Sequence, residues 1–396
     1  MTGKRKDNEG RNLFTGESQR KDGTYMYRYT DPLGKRKTIY APTLNELRQK
    51  EKTTKRDLDD GIYISNGEIT VSELMQIHLE TNLQWKRATR ERQESQVKVV
   101  RTYSFSKMKI KDVKMSDVRN FCMQLYQDGK KKGSIQAYKS MLVSAFKLAY
   151  QDDWIRKNPA EIDLSFLPSD RKDKEVLSEL QEEFFLDFVR HHDRLSHYCD
   201  IFILFLDTGI RVAELVGLTL DDIDLKNKTI CINHQLNVGN SKEYGNRFYI
   251  GTTKSKNGMR TIPLTGRACA AINNLLRRRE WISNVEPVID GYSKFLLLTN
   301  KYNGLMTYST ISYNLKKLVN EYNAKHKEKL PALTPHSFRH TFCTRMVENG
   351  VNIHALQYIM GHCDIQMTYS IYTHYDQKKA IEEMRKTIGV KTLQKN

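Results

Sequence analysis

From TVSELMQIHLE at residue 70, through VKMSDVRNFCMQLYQDG and GSIQAYKSMLVSAFKLAYQDDW, to the turn NPAE, the sequence runs in helix period throughout. Gly129, Gly133 and Pro159 punctuate it, and Thr70 with Glu73 opens it as a capping box. A block of one period constrains residues 70–165 to an all-α bundle with exposed lysines and arginines. The charged stretch DRKDKEV, 170–176, has no apolar anchor and fits a linker.

On either side of this block the period changes. GTYMYRYTDPLGKRKTIYAP alternates aromatic and polar residues around DPLG, the pattern of a hairpin, with Tyr25, Tyr27 and Tyr29 on one face and Met26 and Arg28 on the other. NLFTGESQRK supplies a third strand, and TLNELRQKEKTTKRDLDDG a helix with Thr43 as N-cap, Glu46 in its first turn and Gly61 as its stop. Residues 1–20 are polar and charged, which on composition alone predicts a flexible basic arm. Beyond 176 the pattern is mixed: helices at 177–190, 197–207, 266–281, 308–325 and 335–349, and strands at TICIN, RFYIGTT and, after KSKNGM, RTIPL. The expected fold is therefore multidomain α+β. It comprises a β-hairpin-and-helix unit over 1–65, an all-α bundle over 70–168, and a mixed, mainly helical domain with a small antiparallel sheet over 169–396.

Composition narrows the function. At roughly 100–200 residues per domain, 396 residues make two to four domains. With 65 Lys+Arg against 47 Asp+Glu, the net charge of +18 favours a polyanionic partner, nucleic acid or an acidic membrane face. No apolar run approaches the ~20 residues that cross a bilayer, and MTGKRKDNEG lacks the apolar core of a signal peptide, so a soluble intracellular protein is expected. The six cysteines, at 122, 199, 231, 269, 343 and 363, form no C-x-x-C pair, and the eleven histidines form no H-E-x-x-H. Neither a disulfide framework nor a metal site is expected.

Five short motifs carry candidate chemistry. In LDTGIRVAELVGL, Arg211 opens a helix, near backbone N–H groups that favour an anion, with Glu214 one turn on to hold the guanidinium. A plain surface arginine would look the same. In LTPHSFRHTFCTRMVENG, Thr334 is a natural N-cap and Pro335 a first helical residue, so His336 and Arg339 point together from a helix start. VNIHALQYIMGHCD ends a short helix at Gly361, leaving His362 either as a capping cation or as a functional group. TTKSKNGMRTIPL places Lys254 and Lys256 on a turn read as joining two strands, where a lysine is either solvated or free to fold over a phosphate. Finally, TYSIYTHY repeats tyrosine at 369, 372 and 375, the spacing of a packing stripe.

In this order, TGIRVAEL, a turn lysine, PHSFRH, MGH and YTH resemble the tyrosine recombinase (integrase) family, from about residue 175 to the end. The N-terminal GESQRKDGTYMYRY resembles the arm-site DNA-binding domain of conjugative-transposon integrases. The resemblance implies that Arg211 and Arg339 clamp a phosphate, His336 and His362 flank it, and Tyr372 attacks it, leaving Tyr369 and Tyr375 as packing groups. Lys254, with Lys256 as the alternative, would protonate the departing 5′ oxygen. It also implies double-stranded DNA as substrate, a covalent 3′-phosphotyrosine, a Holliday junction, no cofactor, and a homotetramer on DNA in the bacterial cytoplasm, with an accessory excision factor as a further partner. The tail YDQKKAIEEMRKTIG would dock on a neighbour or on its own domain. In the N-terminal unit, Arg28, Lys35, Arg36 and Lys37 would contact DNA from a β-ribbon. Two alternatives remain at this point: a type IB-like topoisomerase and a non-catalytic DNA-binding regulator.

Overall fold

The computed structural model describes residues 5–30, 34, 36–59, 68–169, 176–239, 247–252, 258–281, 286–299, 304–361, 365 and 384. Lys35, Lys254, Lys256, His362, Tyr369, Tyr372 and Tyr375 lie outside these residues, as do Gly61, the stretch 170–175 and, residue 384 apart, the tail helix. The chain divides into two compact units, Met1–Arg171 and Lys172–Asn396.

The first unit opens with strands β1 (Glu17–Gln19), β2 (Tyr25–Thr30) and β3 (Arg36–Ala41), an antiparallel sheet in the order β1-β2-β3. Helix α1 (Leu44–Asp59) follows, and Thr43 Oγ1 accepts from the Glu46 amide at 3.3 Å, as a cap should. Two-residue alternation puts Tyr25 and Tyr27, with Ala41, into a core against Leu44 and Leu47. The opposite face carries Met26, Arg28 and Thr30, paired with Tyr40, Thr38 and Arg36.

The register and the segment before the sheet bear on two expectations. Lys37 pairs with Tyr29 and so lies on the tyrosine face, because a one-residue step along a strand reverses the side chain; Arg36, not Lys37, shares a face with Arg28. Residues 5–20 are not a flexible arm either. Asp7 is buried, its Oδ2 accepting from Arg11 Nε at 2.7 Å and from Tyr25 Oη at 3.0 Å, and the buried Glu17 pairs with Arg48 of α1 at 3.0 Å. Composition counts charges, whereas here two carboxylates are neutralised by specific arginines and tie the segment down.

Helices α2 (Val71–Thr81), α3 (Arg87–Val100), α4 (Met115–Gln127) and α5 (Lys132–Gln151) form a second, separate core that includes Leu74, Met75, Phe121 and Phe146. The Thr70–Glu73 capping box is formed, and the Phe105 and Phe121 rings stack at 4.8 Å.

The second unit is built around α7 (Tyr198–Thr208). Its YCDIFILFLDT is apolar on nearly every side, so it is buried among α6 (Glu179–Arg190), α9 (Gly266–Glu280) and α11 (Pro335–Glu348). Phe338 of α11 packs 5.1 Å from Phe202 in the middle of α7, which holds the start of α11 against that helix. The short α8 (Val212–Gly217) follows α7, α10 (Tyr308–Lys325) precedes α11, and α12 (Ile353–Met360) comes after it.

Strands β4 (Ile223–Asp224), β5 (Thr229–Ile232) and β8 (Arg260–Pro263) make one antiparallel sheet, and β6 (His234–Val238) pairs only with β7 (Phe248–Thr252) among the described residues. This corrects the lysine hairpin. β7 and β8 are not partners, since each is matched to an earlier strand, so residues 253–257 connect two sheets instead of capping one ladder. The sequence pattern marked the strands, but pairing is a tertiary choice. No helix among the described residues is long and apolar enough to cross a membrane.

Candidate active site

Helix α7 stops at Gly209, whose left-handed φ of +60° turns the chain towards α8. Arg211 is the N-cap of α8; its amide donates to Glu214 Oε2 at 3.0 Å and its Nη1 to Glu214 Oε1 at 2.8 Å. On α11, Thr334 caps the helix and Pro335 occupies the first turn. Arg339 turns inward from there, with only 4% exposed, while His336 stays open to solvent. The two leave the same helix start, but the histidine lies over the surface and the arginine beneath it.

The two arginines meet at the end of α12. Arg339 donates from Nη1 to the Gly209 carbonyl at 2.5 Å and from Nη2 to the Met360 carbonyl; Arg211 donates from Nη2 to the Gly361 carbonyl at 2.7 Å. A helix C-terminus has unsatisfied carbonyls and a partial negative charge, and both arginines supply what it lacks. Gly361 closes α12 with φ +59°, and a Cβ there would sit 3.2 Å from Arg211 Nη1. His362 is the next residue in the chain.

A third arginine completes the cluster. Arg260, first residue of β8, donates from Nη2 to Glu214 Oε2 at 2.7 Å, from Nη1 to Glu214 Oε1 at 3.2 Å, and from Nε to the Ile359 carbonyl at 2.6 Å. Sequence reasoning passed over it. The available signal was the two-residue period, which puts Arg260 on the buried face with Ile262 while Thr261 and Pro263 face out.

Electrostatics follow from three guanidiniums around one buried carboxylate. Burial alone would push Glu214 up, but hydrogen bonds from Arg260 and the charges of Arg260 and Arg211 outweigh it and hold the carboxyl below its usual range. Arg339 is pushed down to about 9, by burial first and then by the positive charge of Arg211 and Arg260, which leaves it charged at neutral pH. The cluster keeps a positive surplus suited to an anion. Among the described residues, no three His, Cys, Asp or Glu side chains group as metal ligands. A cleft of about 910 Å³, lined by Phe184, Phe188, His192, Glu321, Tyr322 and His326, contains none of these arginines.

The model of the phage integrase family matches residues 175–379, and that of the DNA-binding domain of Tn916 integrase matches residues 1–58. The transposase from transposon Tn916 of Enterococcus faecalis is 36% identical over 411 residues, covering 98% of this chain and 97% of the relative. The chain belongs to the phage integrase family, the tyrosine recombinases. Among solved structures, the Tn1549 transposon integrase in complex with a circular intermediate DNA matches with a TM-score of 0.75 and 34% identity, covering 81% of this chain and 99% of that one. The same integrase with transposon right end DNA matches at a TM-score of 0.74 and 34% identity, covering 80% and 99%.

The protein is thus a tyrosine recombinase of the conjugative-transposon integrase type, with the mainly helical α+β architecture of those relatives. Its family cleaves and rejoins DNA without metal or ATP. This favours recombination over the topoisomerase and regulator alternatives.

Proposed function

We propose that this integrase inserts and excises a mobile element, with Tyr372 as nucleophile. Tyr372 Oη attacks the phosphorus of a DNA phosphodiester and its proton passes to His336. The bond from phosphorus to the 5′ oxygen breaks, and Lys254 or Lys256 protonates that oxygen. A 3′-phosphotyrosine and a free 5′-hydroxyl result, and attack by the 5′-hydroxyl of the partner strand reverses the chemistry and reseals the DNA. Arg211, Arg339 and His362 stabilise the charge that grows on the non-bridging oxygens. A guanidinium carries five N–H donors, so the carbonyl bonds of Arg211 and Arg339 leave others for phosphate.

One observation carries the assignment. Arg211 and Arg339, 128 residues apart in sequence, bond the last two residues before His362, Gly361 and Met360. In this reading residues 1–65 bind arm DNA, 70–168 the core site, and 169–396 catalyse. Arg28 and Arg36 supply the arm contacts from their shared face. Exchange between two duplexes needs four cleavages, which a homotetramer would make pairwise through a Holliday junction in the bacterial cytoplasm, with an accessory factor setting the direction towards excision. The test is a nicked duplex carrying the end of the element that encodes the chain. The unsubstituted protein should trap a covalent protein–DNA adduct and Tyr372→Phe should form none; an adduct with Tyr372→Phe refutes the nucleophile.

A further inference from the structure

Three successive carbonyl oxygens at the end of α12 each receive a different arginine: Ile359 takes Arg260, Met360 takes Arg339 and Gly361 takes Arg211. Two of these arginines are assigned to phosphate above. The third differs from Arg211 in access, since the Arg260 side chain is 0% exposed against 22% for Arg211. Arg339 is buried as well, at 4% exposed, so what separates Arg260 is its partners: its guanidinium alone spans both oxygens of Glu214.

What Arg260 does touch is informative. Its fork spans both oxygens of Glu214, the residue that holds Arg211 on α8, while its Nε reaches the Ile359 carbonyl on α12. Nη1 also donates to the Gly258 carbonyl at 2.9 Å, where the chain emerges from the segment that contains Lys254 and Lys256. Gly361 lies against the same group: a Cβ there would come within 3.1 Å of Arg260 Nη1. One planar guanidinium therefore joins α8, α12 and the start of β8.

We propose that Arg260 is a positioning residue for strand cleavage: it locks the Arg211 helix to the end of α12, which Arg339 also bonds, so that Arg211 and Arg339 meet the same phosphate. The inference rests on the recombinase assignment above. The work requires a fork, because donors must point in separate in-plane directions to a carboxylate and a carbonyl at once. A lysine keeps the charge beside Glu214 but offers donors from a single nitrogen and cannot span both. Misplacement of a catalytic group by about 1 Å costs on the order of 10²-fold in rate.

The test uses the full-length protein and the same nicked duplex. At saturating protein, Arg260→Lys should form the covalent adduct about 10²-fold more slowly, with duplex affinity within about twofold and a cooperative thermal transition retained. Glu214→Gln keeps an acceptor oxygen for the fork at nearly the same shape, and should slow the adduct in the same sense, again without loss of affinity. An adduct rate for Arg260→Lys within about threefold of the unsubstituted protein overturns the proposal, since charge alone would then suffice. So does a fall in affinity that matches the fall in rate. If Arg260→Lys fails to fold, a normal adduct rate for Glu214→Gln overturns it instead. If the unsubstituted protein gives no adduct, the recombinase assignment itself fails, and this inference with it.

Discussion

Gly209 stands where α7 ends and the site begins, and replacing it with alanine should do measurable harm for two separable reasons. Its φ of +60° lies in the left-handed region, where an L side chain costs roughly 1–2 kcal/mol. A Cβ there would also overlap Phe342 Cδ1 and lie 2.9 Å from Phe342 Cε1 and 3.1 Å from Met360 Sδ. Phe342 and Met360 are buried, so they yield only by repacking, at about 1–3 kcal/mol. Together Gly209→Ala should destabilise the second unit by about 2–5 kcal/mol. Gly350→Ala is the internal control: its φ is +73°, but a Cβ would meet nothing within 4 Å, so only the backbone cost of about 1–2 kcal/mol should appear. Urea unfolding of the two variants, followed by circular dichroism, measures the difference. Gly209→Ala should also slow strand cleavage beyond its effect on stability, because the Gly209 carbonyl is the acceptor for Arg339 Nη1. Equal destabilisation of the two variants would refute the crowding argument, and an unaltered cleavage rate would refute the link to Arg339.

Two other perturbations test other parts of the molecule. His197 is pushed down to about 4, by burial first and then by the nearby Arg278 charge. Its folded-state value lies below the ordinary one, so it favours folding fully above about pH 6.5 and loses that contribution as pH falls towards 4; at 1.36 kcal/mol per unit the loss is roughly 3 kcal/mol. Urea midpoints at pH 7 and 4.5 should differ less in His197→Phe than in the unsubstituted protein. In the N-terminal unit, Arg28→Ala or Arg36→Ala should each reduce the slope of log affinity against log salt on duplex DNA by about 0.9, and Lys37→Ala should leave it nearly unchanged. Equal slope changes for Arg28→Ala and Lys37→Ala would discard the assignment of the open face to DNA.

Much of this was written locally. Thr70 with Glu73, Thr334 with Pro335, and Gly361 after Met360 mark helix ends by backbone chemistry that involves only a few consecutive residues, and each end stands where the sequence puts it. The pairing of Arg211 with Glu214 spans three residues and was equally legible. The order of the motifs carried the family resemblance, and the family model matches residues 175–379, which contain all of them. What the sequence could not settle was which distant groups share a surface. Strand periodicity places Arg260 on a buried face but does not say that α12 ends against it, and it marks β7 and β8 without naming their partners. The charge count made residues 5–20 look like a loose arm, yet Asp7 and Glu17 each find an arginine only once the sheet and α1 have come together. Local propensity is decided within a helical turn or a strand pair, whereas a buried charge is tolerable only where the whole fold delivers its counter-charge. That is why the helix ends and the order of the motifs belong to the sequence, and the meeting of Arg211, Arg260 and Arg339 at the end of α12 to the tertiary structure.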